Sequence, residues 1–305
     1  MALLNNFQVF HRPGMLLFLF IGLSKLTNAN TSFSSTSVGC VLNGDDDVYG
    51  IGIRMSLYLQ WAALLIATWV APDEARYARS IANIITIAVL ANTFKNPQGG
   101  SVIVLEWWIV TFNTFFLQLG NVPFSRKLIG GSASSLGAMM LIWTAVVIAN
   151  CWVWFAGVNL GRVEGCDVKT YFFFHAVSVY SGTWQTVFRT IAAVGCVFGA
   201  FFALTAIAAI SWNVTNAVGK EDEDAEKQTL LAATLSTAFQ ILIGAIAIIE
   251  TEMTIRINDI NMAESLRSSG QLIPFAIGLF SFIATIGVGV RNFIIGAPNL
   301  PFQLR

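Results

Sequence analysis

The stretch QTVFRTIAAVGCVFGAFFALTAIAAISW, residues Gln185–Trp212, decides the fold class of this chain. It contains a single charged side chain, Arg189, among otherwise uncharged residues. A helix needs about 20 predominantly apolar residues to cross roughly 30 Å of hydrocarbon. A run of this length and composition therefore predicts a transmembrane helix.

Six further apolar runs surround this stretch, and most of them approach the same length. In chain order the seven runs are Gly50–Ala71, Ser80–Phe94, Ser101–Leu119, Ala133–Gly157, Gln185–Trp212, Thr229–Ile249 and Leu272–Val290. We therefore predict an all-α fold, a polytopic transmembrane helical bundle of about seven spans.

The composition agrees with a chain that faces lipid. Of its residues 55% are hydrophobic and only 11% are charged, whereas a soluble domain carries roughly a quarter charged residues. The bilayer is therefore a predicted partner. Basic and acidic side chains are equal in number, 17 of each. Because no basic stripe stands out, nucleic acid is not expected as a partner.

The N-terminal residues resemble a secretory signal in their order. Arg12 precedes the short apolar core Met15–Leu23, and the polar stretch Ser24–Ser37 follows. This order predicts a signal-like segment at residues 1–37, followed by one membrane domain at residues 38–305. Whether the segment is cleaved is left open. Asn30 begins an Asn-Thr-Ser sequon and is a candidate glycosylation site.

The loop charges predict how the bundle is oriented. If the N-terminal side is lumenal, each cytosolic segment holds two basic residues. These pairs are Arg76 with Arg79, Arg126 with Lys127, Lys220 with Lys227, and Arg291 with Arg305. Together with the signal-like segment, they predict a lumenal N-terminus and a cytosolic C-terminus.

The four cysteines divide into two pairs by their surroundings. Cys151 and Cys196 lie inside apolar runs, where a thiol usually acts as a small hydrophobic side chain. Cys40 and Cys166 lie in polar segments and are a candidate disulfide if both segments share an oxidising compartment. The alternative is two loop thiols that are not bonded.

Several ionisable side chains lie inside or beside the apolar runs, where each costs about 2.5 kcal/mol or more at mid-depth. Arg54 follows the start of the first run, and Glu106 lies inside the third. Glu250 and Glu252 are expected to close the sixth. The predicted orientation places all of them at lumenal helix ends, where they would converge on one cavity. The alternative is ordinary contact with the membrane interface.

The residue types restrict the chemistry of such a cavity. The chain has only two histidines, which argues against a multi-histidine metal site, and no glycine-rich phosphate loop precedes a helix. Burial raises the pKa of a carboxyl group and makes it a general acid. Aromatic faces stabilise carbocations. These features suit cofactor-free, proton-initiated cyclisation of a lipophilic isoprenoid epoxide.

Two stretches carry a resemblance to a known group. GDDDVYGIGIR at Gly44–Arg54 resembles a signature that opens the first span in a group of fungal membrane proteins. EMTIRIN at Glu252–Asn258, followed by SGQLIPF at Ser269–Phe275, is similar to the second signature of that group. The group includes membrane-bound terpene cyclases of the ascofuranone, or meroterpenoid, type.

The resemblance implies an endoplasmic-reticulum enzyme of fungal secondary metabolism. It would cyclise an epoxidised farnesyl-aromatic substrate without a cofactor, and a pathway monooxygenase is the partner expected to form the epoxide. The residues before Gly50 depart from the usual pattern of the group, which leaves the substrate open.

The resemblance and the apolar runs together nominate eight site residues. Motif position carries over Asp47, Arg54, Glu252, Asn258 and Gln271, and the third run adds Glu106, Trp107 and Trp108. We expect Glu252 or Glu106 to protonate the epoxide, and Asp47 or the second glutamate to accept the final proton. Arg54 would hold a carboxylate ionised. The two tryptophans would line the path of the cation, and Asn258 and Gln271 would bind the substrate.

The rival hypothesis is a seven-helix transporter or receptor without catalytic activity. Transporters often show inverted repeats and paired broken helices, and receptors larger cytosolic loops. The sequence displays neither pattern clearly.

Glycosylation reporters test the predicted orientation. A reporter at the N-terminus, or in the loop between Val158 and Thr170, should be modified because both sites are lumenal. A reporter placed after Arg305 should stay unmodified. Modification at that last site, measured by a glycosidase-sensitive mobility shift, would overturn the orientation and divide the acidic residues between both membrane faces.

Overall fold

The computed structural model of the protein describes residues 42, 44–70, 72–95, 102–119, 133–162, 165–215, 225–262, 266 and 268–295. All of them lie in one compact unit, Gly39–Arg305. The predicted signal-like segment at residues 1–37, the sequon at Asn30 and the cysteine at Cys40 lie outside the described residues, so those hypotheses stay predictions.

Helices make up 82% of the described chain. In chain order the elements are α1 (Asp46–Tyr49), α2 (Ile51–Val70), α3 (Pro72–Lys95), α4 (Ile103–Thr111), α5 (Leu117–Leu119), α6 (Ala133–Trp152), β1 (Lys169–Phe172), β2 (His175–Ser178), α7 (Gly182–Thr215), α8 (Ala225–Ile257) and α9 (Ser269–Ile295). A π-helical segment at Phe112–Phe116 joins α4 to α5, and a second at Val153–Gly157 continues α6.

Among the described residues, five helical segments are long and apolar enough to cross a membrane. They are Asp46–Val70, Gly137–Gly157, Gly182–Ala208, Thr234–Ile257 and Ser269–Asn292. The prediction of a mostly helical chain with several apolar spans is therefore confirmed. Two shorter apolar helices, Ala78–Thr93 and Ile103–Leu119, coincide with the second and third predicted runs. The count of seven and the orientation of the termini stay predictions.

Two details differ from the sequence prediction. Helix α8 continues to Ile257 instead of ending near Ile249, so Glu250 and Glu252 lie inside it. The fold is also not purely helical, because β1 and β2 form an antiparallel hairpin in which Phe172 pairs with His175. Strands of four residues in an aromatic stretch cannot be distinguished from an apolar helix segment by periodicity alone.

The cysteines also require a correction. Cys151 of α6 and Cys196 of α7 are joined in a disulfide rather than acting as separate apolar thiols. The two helices lie side by side, with the Cα atoms of these residues 7.0 Å apart. Cys166 also takes part in a disulfide. Its predicted partner lies outside the described residues, so that pairing stays a prediction.

Helix α2 is the central helix of the described bundle. In the most apolar stretch of the span that contains α2, 83% is buried inside the protein. The corresponding shares are 17% for the span in α7 and 11% for the span in α9. Helix α9 approaches α2 closely at Gly278, where an added Cβ would lie 2.7 Å from the Cα of Ser56. Small residues allow this kind of close packing between membrane helices. The two helices therefore form a tightly packed pair.

This packing predicts different effects for two glycine substitutions in the same helix. Gly278→Ala should destabilise the protein by about 1–3 kcal/mol, because its methyl group would overlap the backbone of Ser56. Gly287→Ala is the matched control, since a Cβ there meets no described atom within 4 Å. Thermal unfolding in detergent measures both variants. Equal stability of the two would contradict the close approach of α2 and α9.

Candidate functional site

Arg54 is a charged residue buried in the central helix. It is the fourth residue of α2 and only 8% of its surface is exposed. A guanidinium stays protonated in proteins, so burial requires an anionic partner. Glu252 of α8 provides that partner, with its Oε1 in an ion pair with Nη1 of Arg54. The pair links the two helices inside the bundle.

Tyr58 completes this arrangement. It lies one turn after Arg54 on the same face of α2, and its hydroxyl donates to Oε1 of Glu252 over 2.9 Å. We call these three residues the Arg54–Tyr58–Glu252 cluster. Among the described residues, the buried Nε of Arg54 has no hydrogen-bond partner. A buried donor of this kind is available to a polar group of a ligand.

Gln271 holds the start of α9 against the start of α2. It is 1% exposed, and its Oε1 accepts a hydrogen bond from the N–H of Gly52 over 3.4 Å. A Cβ on Gly52 would lie 2.3 Å from the carbonyl oxygen of Gln271, so only glycine permits this approach. Gln271 is thus engaged with the backbone of α2, and its predicted contact with a substrate stays a prediction.

Asp47 lies nearer the surface than the cluster. Its side chain is exposed. Its Oδ1 lies so close to Gly270 that a Cβ added to this glycine would be 2.4 Å from it. A carboxylate beside the first turn of α9 interacts favourably with the helix dipole. Asp45 caps α1 by accepting from the N–H of Asp47, and burial raises the pKa of Asp45 although that hydrogen bond opposes the shift.

Glu106 is buried in a different neighbourhood. It belongs to the first turn of α4, is 5% exposed, and interacts electrostatically with the Tyr49 hydroxyl. Arg54 instead takes its charge interactions from Glu252 and Tyr58. The groups that were predicted to converge on one cavity therefore form two separate arrangements. Arg54 and Glu252 meet directly, while Glu106 faces Tyr49.

The two tryptophans that the sequence nominates as site residues contact different neighbours. Trp107 is 1% exposed, and its Nε1 donates to Oδ1 of Asn150 over 3.0 Å. Trp108 donates to the carbonyl oxygen of Tyr171 over 3.3 Å. Its ring also lies 5.0 to 6.3 Å, between centroids, from four aromatic rings. We define the aromatic cluster as Trp108, Phe112, Trp154, Phe172 and Phe188.

Trp108 lies on the face of α4 opposite Glu106. Residues two apart on a helix are separated by about 200° around its axis. The aromatic cluster therefore does not surround the buried carboxyl group. Tyr49 interacts electrostatically with Glu106, and Tyr58 hydrogen-bonds to Glu252. The expectation that Trp107 and Trp108 line the path of the cation stays a prediction.

Asn258 has its polar atoms engaged with the hairpin. Its Oδ1 accepts from the N–H of Lys169 over 2.9 Å, and its Nδ2 donates to the carbonyl oxygens of Lys169 and Thr254. Asn258 therefore anchors β1 to α8. Its predicted contact with a substrate remains a prediction.

Sequence reasoning missed two side chains that the structure makes prominent. Tyr58 was signalled only by its spacing of four from Arg54. The sequence leaves Glu250 open between a lumenal cavity and the membrane interface; in the structure it is 1% exposed, and its carboxyl group lies near the backbone N–H groups of Phe173 and Phe174. No periodic pattern connects Glu250 to a hairpin more than seventy residues away.

Comparison of the chain with protein-family models, with curated proteins and with solved structures finds no match. Within the described part of the chain, no group of three His, Cys, Asp or Glu side chains is arranged to hold a metal ion.

The ion pair predicts a specific pattern of stabilities. Arg54→Met should lower stability by roughly 3 kcal/mol, because Glu252 would lose its cation inside the bundle. The double variant Arg54→Met/Glu252→Met should recover much of this loss, since neither charge then remains unpaired. Thermal unfolding in detergent measures the unmodified protein, the single variants Arg54→Met and Glu252→Met, and the double variant. Additive losses in the double variant would show that the pair is not coupled.

Proposed function

We propose that the chain is a membrane-bound terpene cyclase that closes a ring in an epoxidised farnesyl-aromatic substrate by acid catalysis, without a cofactor. The observation that carries this proposal is the Arg54–Tyr58–Glu252 cluster. It connects the end of GDDDVYGIGIR to the start of EMTIRIN, the two stretches with the cyclase resemblance. Residues far apart in sequence thus supply one buried polar site.

The geometry supports different roles for the two glutamates. Glu252 is the anionic partner of Arg54, and an ion-paired carboxylate is suited to accept a proton. Glu106 is buried beside Tyr49, and a carboxyl group in a water-poor environment is suited to donate one. We therefore assign Glu106 as the general acid and Glu252 as the final base. Asp47 is exposed, which makes it the weaker candidate for either role.

The proposed reaction begins with proton transfer from Glu106 to the epoxide oxygen. The C–O bond then breaks, leaving a hydroxyl group and a cationic carbon. The electron pair of a chain double bond, or of a substrate hydroxyl, forms the new ring bond to that carbon. The remaining positive charge is removed when a proton passes to Glu252. The rings of Tyr49 and Tyr58 are placed beside these two carboxyl groups and would stabilise the passing cation.

Conservative substitution tests these roles. Glu106→Gln should lower turnover at least ~100-fold, because an amide keeps the size of the side chain but cannot protonate an epoxide. Glu252→Gln should also lower turnover, because it removes the final proton acceptor. The assay is product analysis from microsomes supplied with farnesyl-phenol epoxides.

Asp167→Asn is the matched control, since that carboxylate is 61% exposed and pairs with Lys169 on the surface. Its turnover should equal that of the unmodified protein. Near-normal cyclisation by both glutamine variants would contradict acid catalysis at this site. No cyclisation by the unmodified protein with any farnesyl-aromatic epoxide would contradict the proposed function.

A further inference from the structure

The β1–β2 hairpin lies along one side of α8 and is held there by a regular set of hydrogen bonds. Asn258 binds the backbone of Lys169, and Oγ1 of Thr254 accepts from the N–H of Tyr171 over 3.0 Å. The carboxyl group of Glu250 lies near the N–H groups of Phe173 and Phe174. Helix residues four apart thus meet strand residues two apart. We call Glu250, Thr254 and Asn258 the α8 ladder.

The spacing of the helix residues along α8 matches the spacing of the strand residues along β1. Four residues of an α-helix rise about 6 Å, and two residues of a strand rise about 6.6 Å. Side chains on one line of α8 therefore remain in register with the outer edge of β1. Strand edges usually present unpaired polar groups, and the ladder supplies partners for this one.

The hairpin extends past the ends of three neighbouring helices, toward their middle. Glu250 lies seven residues before the end of α8, a rise of about 10 Å. Phe172 packs on Trp108, five residues into α4, and on Phe188, six residues into α7. Those positions are about 7–9 Å from the helix starts. The contacts of Phe172 and the position of Glu250 place the turn at a similar depth along all three helices.

The hairpin is polar at its base and apolar at its turn. Asp167 and Lys169 form an ion pair at the base, 3.4 Å apart. Phe173 and Phe174 form the turn and are 71% and 60% exposed. Both have positive φ angles, 44° and 64°, at positions where asparagine and glycine are usual. Phenylalanine gains nothing from this backbone conformation, so its presence is explained by its apolar side chain.

We propose that the β1–β2 hairpin is a re-entrant membrane element, with Phe173 and Phe174 in contact with lipid acyl chains. Irregular backbone is tolerated at membrane depth only where its polar groups have partners within the protein. The α8 ladder provides hydrogen-bond partners along β1, and it places the carboxyl group of Glu250 near the N–H groups of the turn. This inference goes beyond the proposed cyclase function and does not depend on it.

Spin labelling in lipid nanodiscs tests the proposal on the full chain. Labels are attached to Phe173→Cys at the turn, Asp167→Cys at the base and Val197→Cys on the exposed apolar face of α7. Collision rates are measured with oxygen, which concentrates in hydrocarbon, and with charged chromium oxalate, which is excluded from it. The oxygen-to-chromium ratio at Phe173 should be on the order of ten times that at Asp167, and should approach that at Val197.

A ratio at Phe173 equal to that at Asp167 would place the turn in water and overturn the proposal. The unsubstituted chain, treated in the same way, corrects for label bound to natural cysteines. Because a labelled variant can misfold, amide exchange of the unlabelled protein in nanodiscs provides a second measurement. The amides of Phe173 and Phe174 should exchange slowly, and Glu250→Leu should accelerate them. Fast exchange at these amides in the unsubstituted protein would also overturn the proposal.

Discussion

The pairing requirement of Arg54 constrains the described bundle more than any other single interaction. A guanidinium cannot lose its charge, and α2 buries it among apolar helices. Helix α8 must therefore extend far enough to bring Glu252 beside it, which explains why the helix continues through the charged stretch up to Ile257. Tyr58 shares the same carboxylate oxygen and fixes its position further. The rotation of α8 about its own axis follows from this contact.

Once Glu252 is fixed toward α2, the opposite face of α8 is fixed as well. Glu250 lies two residues earlier and so points about 200° away. That direction leads to the hairpin, where Glu250 meets the backbone of the turn. The same division applies to α4, whose Glu106 faces Tyr49 while Trp108 faces Phe172. Two helices thus separate a region that holds Glu106 and Glu252 from a region that holds Glu250 and supports the hairpin.

The sequence predicted the helices well because long apolar runs have few alternatives in a chain with so few charges. It also singled out Arg54 and Glu252, since charges in apolar runs are costly enough to indicate a partner. It could not identify the neighbours of Glu250 or Asn258, because these are backbone groups, which are common to all residue types. Nor could it detect the hairpin, because Phe173 and Phe174 replace the asparagine and glycine that usually indicate such a turn.

Whether phenylalanine is favourable at the two turn positions depends on whether the turn lies in water or in lipid. In water, two exposed phenylalanines with left-handed backbone angles would destabilise the turn, and a turn of polar residues or glycine would be more stable. Next to lipid the preference reverses, because the apolar side chains are then well solvated and the backbone N–H groups become the costly feature. Glu250 places a carboxyl group near those N–H groups, from a helix already held in place by Arg54. The ion pair on one face of α8 therefore makes the hairpin on the other face physically reasonable.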